Sequence, residues 1–315
     1  MGRAHRRRGG NHAEDQSGLR WSSDPAGWRH ARSRTHSIII GQTGVQDDDA
    51  RVTGRNARFQ QWEALLHNRN KRQRLGEFLV HGVRPISEAI AHGWSVRALL
   101  HAGTATSRWA LDLINGGVAD AVIELAPDLL QELSEKEADT PELIAVVATP
   151  PDDLHRITVT PDGIVVVLDR PISPGNIGSL LRSGDAFGVD GVIITGHAAD
   201  IYDPKAVRAS RGSLFAIPAV RVDSPTEALA WLRTIDRLEL VGTSEDATNA
   251  IWSHDFSGPT AVVVGNETTG MSSFWAASCD STVHIPMTGS ASSFNATVAA
   301  SIALYEIMRQ RSPNP

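Results

Sequence analysis

The sequence predicts an α/β chain of two globular domains, and three observations carry that prediction. Strand-like and helix-like segments alternate from Asn56 almost to the end. The run Ile164-Val165-Val166-Val167-Leu168 is continuously apolar and closes on Asp169-Arg170. Such a run marks a strand buried on both faces of a parallel sheet. The 315 residues also exceed one small domain, at about 150 residues per domain.

Composition narrows the class. A 41% hydrophobic content supports sizeable cores. No stretch approaches the roughly 18 apolar residues of a membrane span. The single cysteine, Cys279, excludes an internal disulfide framework and a cysteine-rich zinc site, and it fits a reducing, cytoplasmic setting. With a net charge of −6, nucleic-acid binding would need a local basic surface. Only three of the 30 basic residues are lysines; arginine suits phosphate contacts, although codon bias is the simpler account of the excess.

Residues 1–55 mix Arg, Gly, Ser, Asp and His with no apolar period, which predicts a disordered basic and polar tail. It lacks the apolar stretch of about 7–15 residues that a signal peptide needs. From Asn56 the chain reads as globular. Phe59, Trp62, Leu65 and Leu66 fall on one helical face, with Arg69, Lys71, Arg72 and Arg74 at its end. Glu77–Gly82 predicts a strand, and Arg84–Gly93 a helix with Pro85 near its start and Gly93 closing it. Strand, helix, strand and helix follow at 96–103, 107–117, 121–126 and 127–134. This small α/β domain spans 56–149, and a Pro-, Asp- and Thr-rich linker covers 150–161.

The second domain, 162–311, opens with the buried strand. The loop 171–179 leads into a helix through Gly188, then a strand at 191–196, a helix at 205–215 and an amphipathic helix at 225–236. Segments 238–245, 260–267 and 282–289 are strand-then-loop units, and 293–311 is the terminal helix. This predicts a mostly parallel sheet with helices on both faces.

In such sheets ligands collect at the carboxyl ends of the strands. Three of those ends carry glycine-rich polar loops: 169–178, 265–272 and 286–295. Each alone is compatible with simple turn chemistry. Together they predict a site for a polar, planar ligand contacted by backbone groups. No G-x-G-x-x-G, Walker-type loop or G-x-S-x-G elbow is present, and the 12 histidines are scattered, so no metal is expected.

The loops, in this order, resemble those of the SpoU/TrmH branch of the SPOUT class of RNA 2′-O-ribose methyltransferases. Asn176-Ile177-Gly178-Ser179-Leu180-Leu181-Arg182 with Asp185-Ala186-Phe187-Gly188 is similar to the first motif. Gly265-Asn266-Glu267 with Gly270-Met271-Ser272 is similar to the second, and Ile285-Pro286-Met287 with Ser293-Phe294-Asn295 to the third. Asp203–Ser210 and Gly212-Ser213-Leu214 resemble the family's intermediate segment. More weakly, Phe78–Arg84 with Glu88 resembles an L30e-like RNA-binding domain. Thr268, Phe294 and Gly184 depart from the usual glycine, leucine and alanine.

The resemblance implies a trefoil-knotted catalytic domain, a homodimer through it, S-adenosylmethionine as methyl donor and RNA as substrate, with 23S rRNA favoured. It implies catalytic roles for Arg182, Asn176, Glu267, Ser293 and Asn295; Asn176 would orient the Arg182 guanidinium, and Glu267, an acceptor when ionised, would fix Arg182 or an RNA-contacting donor. Arg182 would act as base or as polariser of the 2′-hydroxyl; a free guanidinium accepts no proton near neutral pH. Gly265, Ile285, Phe294, Met287, Thr243 and Gly270 would hold the cofactor, with Gly265 letting backbone approach it. Arg58, Arg69, Lys71, Arg72, Arg84 and Arg208 would meet RNA, with Arg74 and Arg211. Ser293 and Asn295 also suit capping of the last helix. The competing readings are a tRNA methyltransferase of the same family, a non-catalytic RNA-binding assembly factor, and an unrelated nucleotide-binding enzyme.

Overall fold

The computed structural model describes residues 50–103, 107–134 and 141–312; the expected tail at 1–49 lies outside the described residues. The first domain comprises β1 (Arg51–Val52), α1 (Ala57–His67), α2 (Arg69–Leu75), β2 (Glu77–His81), α3 (Val83–Ala91), β3 (Val96–His101), α4 (Arg108–Asn115), β4 (Ala119–Leu125), α5 (Pro127–Ser134) and β5 (Ile144–Ala148). Its sheet runs β1-β4-β3-β5-β2.

Three local expectations need correction here. β1 lies inside the stretch assigned to the tail and pairs in parallel with β4, so ordered structure begins before Asn56. The expected single helix over 58–75 is two, because Asn68 leaves the helical region at φ −121°, ψ 101° and its side chain accepts from the Lys71 N–H. Asparagine competes well for such a cap. β5, which was not expected, runs antiparallel between β2 and β3 and makes the sheet mixed.

The second domain holds β6 (Ile164–Asp169), α6 (Pro174–Ala186), β7 (Gly191–Thr195), α7 (Pro204–Ser210), α8 (Ser213–Ala216), β8 (Ala219–Val222), α9 (Pro225–Leu232), β9 (Glu239–Thr243), β10 (Asn249–Ala250), β11 (Thr260–Val264), α10 (Ser273–Ser278), β12 (Ser281–His284) and α11 (Ala296–Arg311). The seven strands are ordered β10-β12-β9-β11-β6-β7-β8 and pair in parallel.

β6 shows why the apolar run is continuous. Val166 and Leu168 enter a core shared with α6 and α11, while Val165 and Val167 enter the opposite core with α9 and α10. Alternate side chains of one strand thus feed both helical layers. Among the described residues, β6 is fully buried.

Two helix boundaries position the site. α6 starts at Pro174, capped by Ser173, so Asn176 sits in its first turn rather than in a preceding loop. The helix expected over 205–215 breaks into α7 and α8 at Arg211 (φ 54°) and Gly212 (φ 105°). Left-handed backbone cannot continue a right-handed helix.

Candidate active site

The loops after β6, β11 and β12 converge, and side-chain hydrogen bonds join them. The Glu267 carboxylate accepts from the Ile172 N–H at 3.0 Å, the Ser173 N–H at 3.3 Å and Asn176 Nδ2 at 2.9 Å. Because that carboxylate only accepts, the Asn176 amide is oriented with its oxygen outward. Asn176 Oδ1 in turn accepts from Asn295 Nδ2 at 3.3 Å. Asn295 also caps α11, its oxygen accepting from the Thr297 and Val298 N–H groups. Capping and site contact are therefore performed by one side chain.

Partial burial of the Glu267 carboxyl opposes ionisation. The donors from Ile172, Asn176 and Ser173 outweigh it and hold the pKa below the ordinary carboxylate value. Glu267 is thus a fixed negative charge that organises the first loop.

A second clasp ties the same loops. Arg170 makes a bidentate pair with buried Asp169, two bonds of 3.0 Å, and donates to the Gly270 carbonyl at 3.2 Å. Asp169 accepts from the Ser272 N–H at 2.6 Å, and Asn266 donates to the Arg170 carbonyl at 2.7 Å. Arg170 does this from left-handed backbone, φ 55°. Both lie in the expected loop 169–178, but neither was expected to carry a role in the site. The only sequence sign was a carboxylate ending an apolar strand.

Beside these clasps lies a cleft of about 580 Å³. All six expected cofactor residues line it: Thr243, Gly265, Gly270, Ile285, Met287 and Phe294. So do Glu267 and Ser293, while Asn176, Asn295 and Arg182 do not. Ser244, Glu245 and Asp246 also line it and were missed, although they directly follow Thr243 at an expected strand end. The volume falls within the range of about 300–1,000 Å³ typical of small-molecule sites.

Gly265, which lines the cleft, also has a part within its own loop. A Cβ there would strike the backbone of Gly270 and Met271. The glycine therefore lets its own loop fold tightly, with Asn266 and Gly270 bridged through paired backbone bonds of 3.0 Å. Thr268 is accommodated without left-handed backbone; that conformation falls on Gly270, φ 65°. Gly184 has Ile217 and Val189 only 3.3–3.4 Å from a notional Cβ, so α6 packs closely there.

Arg182 is exposed, and its side chain makes no hydrogen bond or ion pair with the described residues. The expected support from Asn176 is absent, for a geometric reason. Six residues along one helix is about 240° around its axis, so the two side chains diverge. The expected Glu267–Arg182 contact is likewise replaced by Glu267–Asn176. Ser293 is exposed at the cleft mouth.

Of the expected RNA contacts, Arg84 and Arg208 are exposed, as are Arg74 and Arg211. Arg58 is half-buried with its guanidinium 5.4 Å from the Trp62 ring centroid, and Lys71 is half-buried. Arg69 donates to the Ala198 carbonyl at 2.6 Å. Arg72 must be withdrawn as an RNA contact: it is buried and paired with Asp200 and Asp203.

A parallel α/β domain with glycine-rich strand-end loops around a cleft, preceded by a small mixed domain, is the arrangement that the SPOUT resemblance implied. The SpoU rRNA methylase family model matches residues 163–305, and the SpoU L30e-like domain model matches 56–145. A 23S rRNA (uridine(2479)-2′-O)-methyltransferase from Streptomyces viridochromogenes is 56% identical, over 83% of this chain and 92% of its own. The crystal structure of the SpoU methyltransferase AviRb from the same species, in complex with AdoMet, is 55% identical. It superposes with a TM-score of 0.78 over 82% of this chain and 98% of its own. An AdoMet-bound rRNA methyltransferase from Sinorhizobium meliloti is 25% identical, with TM-score 0.74 over 84% and 98%. The chain belongs to the SpoU rRNA methylase family.

Proposed function

We propose that this protein transfers the methyl group of S-adenosylmethionine to a ribose 2′-hydroxyl of 23S rRNA, acting in the cytoplasm as a homodimer. The observation that carries this reading is the Glu267–Asn176–Asn295 chain, which joins three loops beside the cleft. The uridine target named for the Streptomyces relative makes a uridine the first candidate nucleotide.

Thr243, Gly265, Gly270, Ile285, Met287 and Phe294 would hold the cofactor, whose sulfonium supplies an already activated methyl group. The protein then has to orient the 2′-oxygen and manage its proton. As oxygen–carbon bond formation accompanies sulfur–carbon cleavage, the hydroxyl proton must leave. Arg182, exposed and uncommitted, is assigned to the hydroxyl as a donor that polarises it and steadies the charge growing on its oxygen, while the proton passes to solvent water. Asn176 and Asn295 keep the α6 and α11 N-termini in register at the cleft, and Ser293 faces the incoming ribose. Arg58, Arg69, Lys71, Arg84 and Arg208 would meet the RNA phosphates; binding would then weaken as salt rises.

An apolar stripe supports the dimer. Val298, Tyr305 and Met308 are 46%, 52% and 38% exposed on α11 and recur at helical spacing, with Phe294 just before them. Sedimentation at several concentrations tests this. A dimer is expected for the wild type and a monomer for Tyr305→Glu.

The test of function is methyl transfer to 23S rRNA with S-adenosylmethionine, with 2′-O-methyl mapping of the product. A single new ribose methyl supports the reading, and modification of a base instead would overturn it.

A further inference from the structure

Arg72 looks like an RNA contact in the sequence, but only 3% of its side chain is exposed. Its Nε donates to Asp200 at 2.7 Å and Nη2 to Asp203 at 3.4 Å. Nη1 donates to the Leu65 and Leu66 carbonyls at 2.7 and 3.2 Å. The guanidinium is thus held by its own domain on one side and by the catalytic domain on the other.

Neighbouring contacts cross the same boundary. Arg69 donates to the Ala198 carbonyl, and Trp94 Nε1 donates to the Phe215 carbonyl at 3.1 Å. Phe78 packs on Tyr202 with centroids 4.8 Å apart, and Trp94 meets Phe215 edge-on at 5.1 Å. Residues of both domains share one continuous core.

This boundary leads to the reacting helix. Asp203 caps α7, accepting from the Lys205 N–H. α7 lies so close to α6 that a Cβ at Gly178 would strike the Ala206 carbonyl. α6 carries Asn176 and Arg182. Building on the methyl-transfer reading, we propose that Arg72 is a positioning residue. It locks the first domain to segment 198–203, so the RNA-holding surface and α6 stand at a fixed separation. The enzyme then measures its substrate, accepting an RNA whose fold spans both domains. A swinging domain would tolerate many spans; a buried ion pair across the boundary resists swinging, because breaking it strands a charge.

The test uses the full chain and two RNAs: a 23S rRNA transcript, and a short hairpin carrying the target nucleotide unmodified. Arg72→Met is expected to lower kcat/KM on the transcript by about 10- to 100-fold, the scale of a misplaced substrate. Its kcat/KM on the hairpin and its S-adenosylmethionine Kd should match the wild type. Asp203→Asn, which keeps the cap while losing the charge, should shift the same way by less, because Asp200 still holds Arg72. The log–log salt slope of RNA binding should stay unchanged. A slope reduced by about one would make Arg72 a phosphate contact and overturn the proposal. Equal losses on both RNAs, or none on either, would also overturn it. Docking is read without RNA as well: one melting transition is expected for the wild type and two for Arg72→Met. A wild type that already melts in two steps contradicts the lock, whereas a wild type inactive on both RNAs contradicts the methyl-transfer reading instead.

Discussion

Two polar networks join segments far apart in this chain, and they differ in what they leave over. Between the domains, the Arg72 guanidinium is paired on every side and hidden from water. At the strand ends, Glu267, Asn176 and Asn295 link three loops but stay part-exposed beside a cleft. The first network is closed and can only hold. The second is held on one side and open on the other, which is what a binding site requires. Charge alone does not separate them; burial and partner count do.

The comparison breaks most visibly at Arg182. Arg182→Ala should reduce methyl transfer by about 10²- to 10³-fold, the usual worth of one donor aimed at charge that develops in the transition state. Melting temperature and S-adenosylmethionine Kd should hardly move, because Arg182 is exposed. A variant with full activity would remove it from the chemistry.

Glu267→Ala comes next, because it should damage both structure and function. It strands the Ile172 and Ser173 N–H groups and the Asn176 amide, each costing about 1–3 kcal/mol where water cannot replace the partner. Methyl transfer should fall with stability. The pH dependence follows from the lowered carboxyl pKa. The Glu267 contribution is complete above the ordinary value of 4.5 and is lost as pH falls through the folded value. Acid melting curves should therefore show the wild type losing its advantage over Glu267→Gln below about pH 4.5.

Gly265→Ala sharpens the distinction between loop folding and ligand contact. Overpacking against the backbone of Gly270 and Met271 should cost about 1–3 kcal/mol and weaken S-adenosylmethionine binding. Calorimetry reads both. Normal stability with weakened binding would leave Gly265 the ligand role alone.

The smallest effect is at Arg170. Arg170→Gly and Arg170→Ala both lose the Asp169 pair, but only glycine relieves the left-handed backbone. Denaturant titration should find the glycine variant more stable by about 1 kcal/mol.

Much of the catalytic domain was legible because its determinants are local. The apolar run at 164–168 needs both faces covered, and the loops at 169–178, 265–272 and 286–295 had to lie at strand ends. The six residues expected to hold the cofactor, all of which line the cleft, followed from that placement together with the family resemblance. What was not legible depended on partners distant in sequence. Arg72 sits among other basic residues, and nothing local shows that Asp200 and Asp203 will cover it. The Ile144–Ala148 strand is apolar enough for either direction, and only its neighbours make it antiparallel. Asn176 was placed in a loop because Pro174 and Gly175 look like a turn, yet proline suits the first turn of a helix. That one boundary moved Asn176 from facing Arg182 to facing Glu267.

The most direct measurement is methyl transfer from labelled S-adenosylmethionine to 23S rRNA from a strain lacking this gene, with Arg182→Ala alongside and ribose-methylation mapping of the product. A 2′-O-methyl mark at one nucleotide, made by the wild type and missing with the variant, is the predicted result. No transfer to naked rRNA or assembled subunits, with no S-adenosylmethionine binding, would contradict it and favour a non-catalytic RNA-binding protein.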